Sequence, residues 1–495
     1  MNKNLVSNLP VLTSKAKIAI LGGGVAGSTI ALRFAELGLD TTIIEKGPSL
    51  VNGPPICHLH AGGNLYREIC DQQCLTLLQQ SIDTVKVYPY SVNPRPTVIA
   101  LPKFDKREPA DLLPRLQKIK EKYTQLVSQD PTNKVLGEPS DYFEFYSRQQ
   151  LEAFKLLPIP DYAEKNGDWL IAFAHHVDLD SIKFPICLVQ EYGLSAFRFA
   201  AITSLAIENL PNCHLQTNRQ VIDVIADEES SSWRVASKHL SAKTVDTSHY
   251  DYVINACGFK SGEIDDMVHA KRQRMVEFKA AYVAHWPHCK GLWPEVIFHG
   301  ERGTPQGMAQ LTPYPGGYFQ LHGMTQNITL FEKGLVASSK DSAQPKLAPQ
   351  FIEKIDKQWP AQDVSHRTSG SIAHLAQFIP SFDSAEEACK PMFGAQQIPG
   401  KDADLRAADV SFHGKHYART EIVKASSALA AADAILANLA DCQLISRVEL
   451  GHYVTEHYFP VSQQPSESEV TSRAMLLAEQ RDYPSALAKT FSAVS

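Results

Sequence analysis

After a polar lead-in from Met1 to Ser14, the chain presents an apolar run, Ile18-Ala19-Ile20-Leu21, that gives way to glycines. Apolar residues then recur at helical spacing from Ser28 to Leu37. A second apolar run, Thr41 to Ile44, ends on Glu45. Short apolar runs bounded by turn residues read as buried strands, and the stretch between them as an amphipathic helix. The pattern predicts strand, turn, helix, strand and acid over Lys17 to Glu45.

Helical spacing returns over Glu191 to Leu210 (Leu194, Phe197, Phe199, Ile202, Leu205, Ile207). Short strands are expected at Cys213 to Asn218 and at Val221 to Ile225. Alternation at Trp233 to Ala236, a polar loop Lys238 to Ser248 and a buried run Tyr252 to Ile254 predict a hairpin-like excursion before a core strand. Lys279 to Trp286 and Gly307 to Gly323 read as a strand and a strand-turn-strand of one sheet. Asp105 to Thr132 reads as a surface helix region, and Glu421 to Ala440 as a long Ala-rich helix. Ser338 to Pro349 and Ser462 to Val470 are polar connections, the second expected to be flexible. A last helix over Ser472 to Phe491 would pack on the body or on a partner.

The glycine turn carries chemistry. Gly22, Gly24 and Gly27 hold the three glycine positions of G-x-G-x-x-G. The first permits a tight turn, the second lets backbone approach a pyrophosphate, and the third lets helix and strand pack closely. Unpaired N–H groups and the helix dipole favour an anion there. Glu45 lies 21 positions after Gly24, where an acid accepts hydrogen bonds from a ribose. A dinucleotide site is therefore expected.

Composition narrows the class. A length of 495 residues suggests two or three lobes. A net charge of −6 gives no basic footprint for nucleic acid. No apolar run reaches the roughly 18–20 residues of a membrane span, although peripheral membrane contact stays open. Nine scattered cysteines without a C-x-x-C point to reduced thiols in the cytoplasm, and no metal site is expected.

The order of these segments, with Tyr252-Val253-Ile254-Asn255-Ala256-Cys257-Gly258, resembles the glutathione-reductase-type FAD fold and its D-amino-acid-oxidase-like branch. In that family the strand ending in Asn/Thr-Ala-x-Gly passes close to the FAD. The resemblance implies an α/β fold: a Rossmann-like FAD-binding domain, with a parallel sheet and flanking helices, plus a substrate domain with a mixed or antiparallel sheet. The expected boundaries are 15–90, 186–268 and 365–440 for the FAD-binding domain. The substrate domain takes 91–185 and 269–364, and a C-terminal extension takes 441–495.

The resemblance implies cofactor contacts at Gly22, Gly24, Ala26, Gly27, Glu45, Lys46, His60, Ala61, Gly62, Gly63, Val221, Ala256, Gly258 and Thr420. Thr420 would cap the Ala-rich helix, whose N-terminus points at the flavin in the family. His60-Ala61-Gly62-Gly63 resembles a segment of dimethylglycine-dehydrogenase-like members whose histidine is joined to FAD. Non-covalent FAD is the expectation, and a link through His60 the alternative. Arg406 and Arg302 are candidate clamps for a substrate carboxylate, because the guanidinium fork matches two oxygens. His322 and Tyr314 are candidates for base or polar contact.

The expected reaction is hydride transfer from a small amine or 2-hydroxy acid to flavin N5. Oxygen, a quinone or an electron carrier would be the acceptor. The alternatives are a flavin monooxygenase or halogenase using NAD(P)H and oxygen, and a non-catalytic FAD-binding protein.

Overall fold

The computed structural model describes residues 12–53, 59, 69–227, 229, 231–289, 291–408, 410–453 and 461–491. Lys17–Leu21 forms the central strand of a six-stranded sheet. Asp40–Ile44 and Tyr252–Asn255 flank it in parallel, and Cys213–Gln216 and Tyr417–Thr420 extend it in parallel on either side. Val410–Phe412 closes one edge antiparallel. The central strands are apolar and almost wholly buried, as a sheet with both faces covered requires. Helix Val25–Glu36 crosses from the first strand to the second and packs against helix Ala428–Asp441. This is the expected Rossmann-like unit.

The second sheet runs Leu335–Ala337, Arg274–His285, Tyr318–Gly323, Ala309–Tyr314, Glu295–Phe298, Thr97–Ala100, Ile186–Val189 and Phe143–Tyr146. Glu386–Glu387 and Met392–Pro399 also pair with the long strand Arg274–His285. The sheet is antiparallel except where Glu295–Phe298 meets Thr97–Ala100. Three segments within the expected nucleotide-domain boundaries, Ile186–Val189, Glu386–Glu387 and Met392–Pro399, thus pair into this larger sheet.

Side chains alternate faces along a strand, and the two faces of this sheet differ. One carries Ala280, Tyr282, Trp286, Phe298, Leu311, Phe319 and Leu321 into a core with Phe378 and Phe382. The other shares its core with the nucleotide sheet, through Ile99, Ala281, Val283 and Tyr314. Between those apolar residues it also holds Glu277, Lys279, Glu295, Gln310, Thr312, Gln320 and His322. The sheet therefore roofs the nucleotide unit with a polar face.

Local boundaries differ from the sequence pattern in places. Lys238 to Ser248 is half strand: Val245–Tyr250 completes a three-stranded meander with Arg219–Asp227 and Ser232–His239. Its residues are mostly exposed, so they lack an apolar signature. The stretch Ser411 to Thr420 is a hairpin. Its second strand, Tyr417–Thr420, is buried yet polar because its side chains join a charge network. The C-terminal helix is Glu467–Gln480, which takes in part of the stretch expected to be flexible. Its start is set by a capping box in which Ser466 and Glu469 satisfy each other's backbone N–H groups. Among the described residues, no helix is long and apolar enough to cross a membrane.

Candidate functional site

The three glycines do three separate jobs. Gly22 has φ +100°, and a Cβ there would stand 2.6 Å from the Ala256 carbonyl oxygen. A Cβ on Gly27 would stand 1.9 Å from the Gly22 carbonyl oxygen, so helix and turn touch backbone to backbone. A Cβ on Gly24 would meet nothing within 4 Å, so this glycine faces open space at the helix N-terminus. No side chain caps that terminus. Its unpaired N–H groups and the positive end of the helix dipole therefore face the opening.

The opening is a cavity of about 660 Å³. Of the expected contact residues, Gly22, Gly24, Glu45, Lys46, Val221, Ala256 and Gly258 line it. Glu45 is fixed by two backbone donors, Gly23 N at 2.6 Å and Gly47 N at 2.5 Å. Five cations line the wall (Lys46, Arg219, Lys260, Lys390, Arg481) against three carboxylates (Glu45, Glu263, Asp482). That balance, with the open N-terminus, suits a nucleotide diphosphate.

The other expected contacts lie elsewhere. Ala26 and Gly27 are buried in the helix behind the turn. His60, Ala61, Gly62 and Gly63 fall outside the described residues. Thr420 is not the helix cap: the helix starts at Ala428, and Thr420 is buried at a strand end with its hydroxyl 3.5 Å from the Asn255 carbonyl. A short 3₁₀ turn, Ala425–Ser427, intervenes. Ser427 stands at the cap position, but its hydroxyl donates to Gln80 at 2.7 Å.

Asn255 anchors the strand that reaches the cavity. Its amide donates to Ser261 O at 2.8 Å and to the Tyr417 hydroxyl at 2.9 Å. That hydroxyl donates to Asp265, which is fully buried and also accepts from Arg274 at 2.6 Å and Arg419 at 2.9 Å. Burial pulls Arg274 below its ordinary pKa, and Asp265 opposes that shift. Because Arg274 opens the long strand of the roof, one buried carboxylate joins roof to nucleotide sheet.

The roof brings the two clamp candidates into one cluster. Arg302 donates to Glu277, whose other oxygen is 2.7 Å from Lys279. Arg406 donates to the carbonyls of Ala403 and Leu405 and lies close enough to act on Lys279 electrostatically. Burial, joined by the like charges of Arg406 and Arg302, pulls Lys279 below its ordinary pKa while Glu277 resists. Burial alone would raise Glu277, yet Lys279 and Arg302 hold it below the ordinary carboxylate range. Lys279 and Arg302 share Glu277, and Arg406 stands 3.9 Å from Asp404, so three cations meet two carboxylates here.

His322 and Tyr314 lie on the same polar face, opposite Gln310 and Tyr318 respectively. Tyr314 is buried and its hydroxyl is 3.4 Å from Gln320. The Thr312 hydroxyl and the Gln320 amide nitrogen are buried without a partner among the described residues. Unsatisfied buried polar atoms on one wall are what a polar ligand would satisfy. Sequence reasoning missed Glu277 and Lys279, although charges at alternate positions of an apolar strand were a usable signal. It also missed Arg95, buried against Glu295 at 2.9 Å, and Arg481 in the cavity wall.

No family model matches the sequence, and no curated protein matches it. Solved structures do match the fold. Glycine oxidase from Geobacillus kaustophilus superposes with a TM-score of 0.54 at 12% identity, over 86% of this chain and 95% of that one. The chain has the glycine-oxidase fold. L-amino acid deaminase from Proteus vulgaris gives 0.53 at 13% identity, over 86% and 95%. L-α-glycerophosphate oxidase from Mycoplasma pneumoniae, solved with FAD bound, gives 0.50 at 14% identity, over 86% and 94%.

Proposed function

We propose that the chain is an FAD-dependent oxidoreductase acting on a small amine or 2-hydroxy acid. The observation that carries this reading is the open backbone at Gly24, beside a fixed Glu45, in a cavity that Phe393, Gly394 and Ala395 of the second sheet help to line. The fold neighbours support it: two are named for amino acids, and one holds FAD. FAD would supply a two-electron acceptor at its N5.

The chain's own part is to bind, orient and dehydrate. Gly24 and the helix N-terminus would hold the diphosphate, and Glu45 the ribose hydroxyls. Ala256 and Gly258, small and at a strand end, would let the cofactor pass close to backbone. The positive cluster of Lys279, Arg302 and Arg406 would attract the carboxylate of an acidic substrate. The roof, with its apolar far side, would exclude water from the reacting carbon. His322 and Tyr314 would give polar contact or take a proton from O–H or N–H⁺.

Oxygen, a quinone or an electron carrier would reoxidise the enzyme. We place the protein in the cytoplasm on its scattered cysteines, which include no C-x-x-C. We assign non-covalent attachment: acid precipitation should leave flavin in the supernatant, and colour in the pellet would revive a link through His60.

The test is anaerobic. FAD-loaded protein is mixed with amino acids, N-methyl amino acids and 2-hydroxy acids, and the flavin absorbance is followed. Bleaching by one class identifies the substrate. Bleaching by NAD(P)H alone would replace this reading with a monooxygenase. Bound flavin that nothing reduces would replace it with a non-catalytic role.

A further inference from the structure

The C-terminal extension is not a spectator. Gln480, Arg481, Asp482 and Tyr483 line the same cavity as Gly24 and Glu45. The preceding helix is well anchored: Val470, Ala474, Leu477 and Ala478 are buried, and the helix packs along Ala196–Ile207. Arg198 donates to Thr471 at 2.8 Å, and Arg473 pairs with Glu208 at 2.7 Å. Beyond the helix, the Tyr483 hydroxyl donates to Pro391 O at 2.8 Å, and Lys390 sits 4.9 Å from the centre of its ring. The segment therefore bridges the nucleotide unit and the start of the roof strand Met392–Pro399.

Arg481 is the key group in that bridge. It donates to Val51 O and Leu50 O, both at 2.8 Å, and to the Ser49 hydroxyl at 3.1 Å. Val51 in turn donates its N–H to Gly23 O at 2.8 Å, inside the glycine turn. Val51 holds φ +53°, a conformation a β-branched residue adopts only under outside constraint. Arg481 and Gly23 supply that constraint from either side of the same residue. The Nε of Arg481 is buried and has no partner among the described residues. Burial lowers its pKa to about 10, which still leaves it charged at neutral pH, and the field of Glu45 reaches it.

We propose that the C-terminal segment is a fourth wall of the dinucleotide site, in which Arg481 is a positioning residue for the adenosine-diphosphate half of the cofactor. It holds the loop Ser49 to Val51 against the glycine turn and places a fixed cation beside the diphosphate. This rests on the dinucleotide reading above. It makes cofactor retention a property of residues more than 400 positions from the binding motif.

The test uses full-length protein stripped of cofactor, with Arg481→Ala and Arg481→Lys. Dissociation constants and release rates are measured for FAD and for ADP alone. Arg481→Ala should weaken both ligands by about tenfold or more, equally, through faster release. Arg481→Lys keeps the charge without the fork, and should recover part of the loss even if Arg481→Ala folds poorly. Wild-type protein that binds both ligands, with both variants within about twofold of it, overturns the inference alone. Wild-type protein that binds neither overturns the dinucleotide reading and this inference together.

Discussion

At the scale of single residues, the glycines separate stability from binding. Gly27→Ala drives a methyl group into the Gly22 carbonyl, and should cost about 1–3 kcal/mol, read as a lowered melting temperature. Gly24→Ala meets open space at φ −69°, which alanine adopts freely. It should melt like the parent but bind ADP about tenfold more weakly, because the methyl group occupies the phosphate's approach. Equal melting losses in both variants would sink this division of labour. Glu36 offers a pH test of the fold. Burial raises its pKa to about 8, against hydrogen bonds from Val461 and Ser462 and the charge of Arg33. The folded chain keeps this proton up to about pH 8, whereas the unfolded chain releases it near 4.5. The fold therefore binds more protons through that window, and stability falls as pH rises. Glu36→Gln should remove a slope on the order of 1 kcal/mol per pH unit, measured by urea unfolding between about pH 5 and 8. Parallel profiles for variant and parent would refute it. The glycine and acid spacing of the turn was legible in the sequence, because backbone chemistry demands those residue types. The buried cations were not, because burial of a charge depends on partners far away in the chain.

At the scale of elements, Asp265 ties together pieces that periodicity treats as separate. It collects Arg274 from the roof, Arg419 and Tyr417 from the hairpin strand, and through Tyr417 the Asn255 amide. Asp265→Asn leaves two buried guanidinium groups without their paired carboxylate. It should cost about 3–5 kcal/mol, seen by calorimetry, and loosen the strand end at Ala256 and Gly258. A cost under about 1 kcal/mol would mean the network contributes little. This network also explains where the sequence pattern misled. Tyr417–Thr420 is a sheet strand with polar side chains, so no apolar run marks it in the sequence. The helix that follows starts seven residues later than expected, at Ala428, which removes Thr420 from the cap position. Strands with one apolar alternation, such as those around Gly307 to Gly323, were legible because their core face obeys the two-residue period.

At the scale of the whole molecule, two sheets face each other, and the chemistry is expected between them. The nucleotide sheet could be read from the sequence, since a parallel sheet buried on both faces leaves continuous apolar runs. The roof could be read only in part. Its strands come from separated stretches of the chain, and Ile186–Val189 and Met392–Pro399 carry no mark of which sheet they join. The C-terminal bridge left no sequence signal at all: Arg481 and Tyr483 matter through position alone. What the pieces share is a cavity suited to a dinucleotide, lined by the nucleotide sheet, the C-terminal segment and the strand Met392–Pro399. The most direct test is the visible spectrum of the purified protein after incubation with FAD and removal of free ligand. Flavin bands at one FAD per chain, displaced by ADP, are expected. A protein that passes through colourless, or that retains NAD instead, would contradict an FAD site.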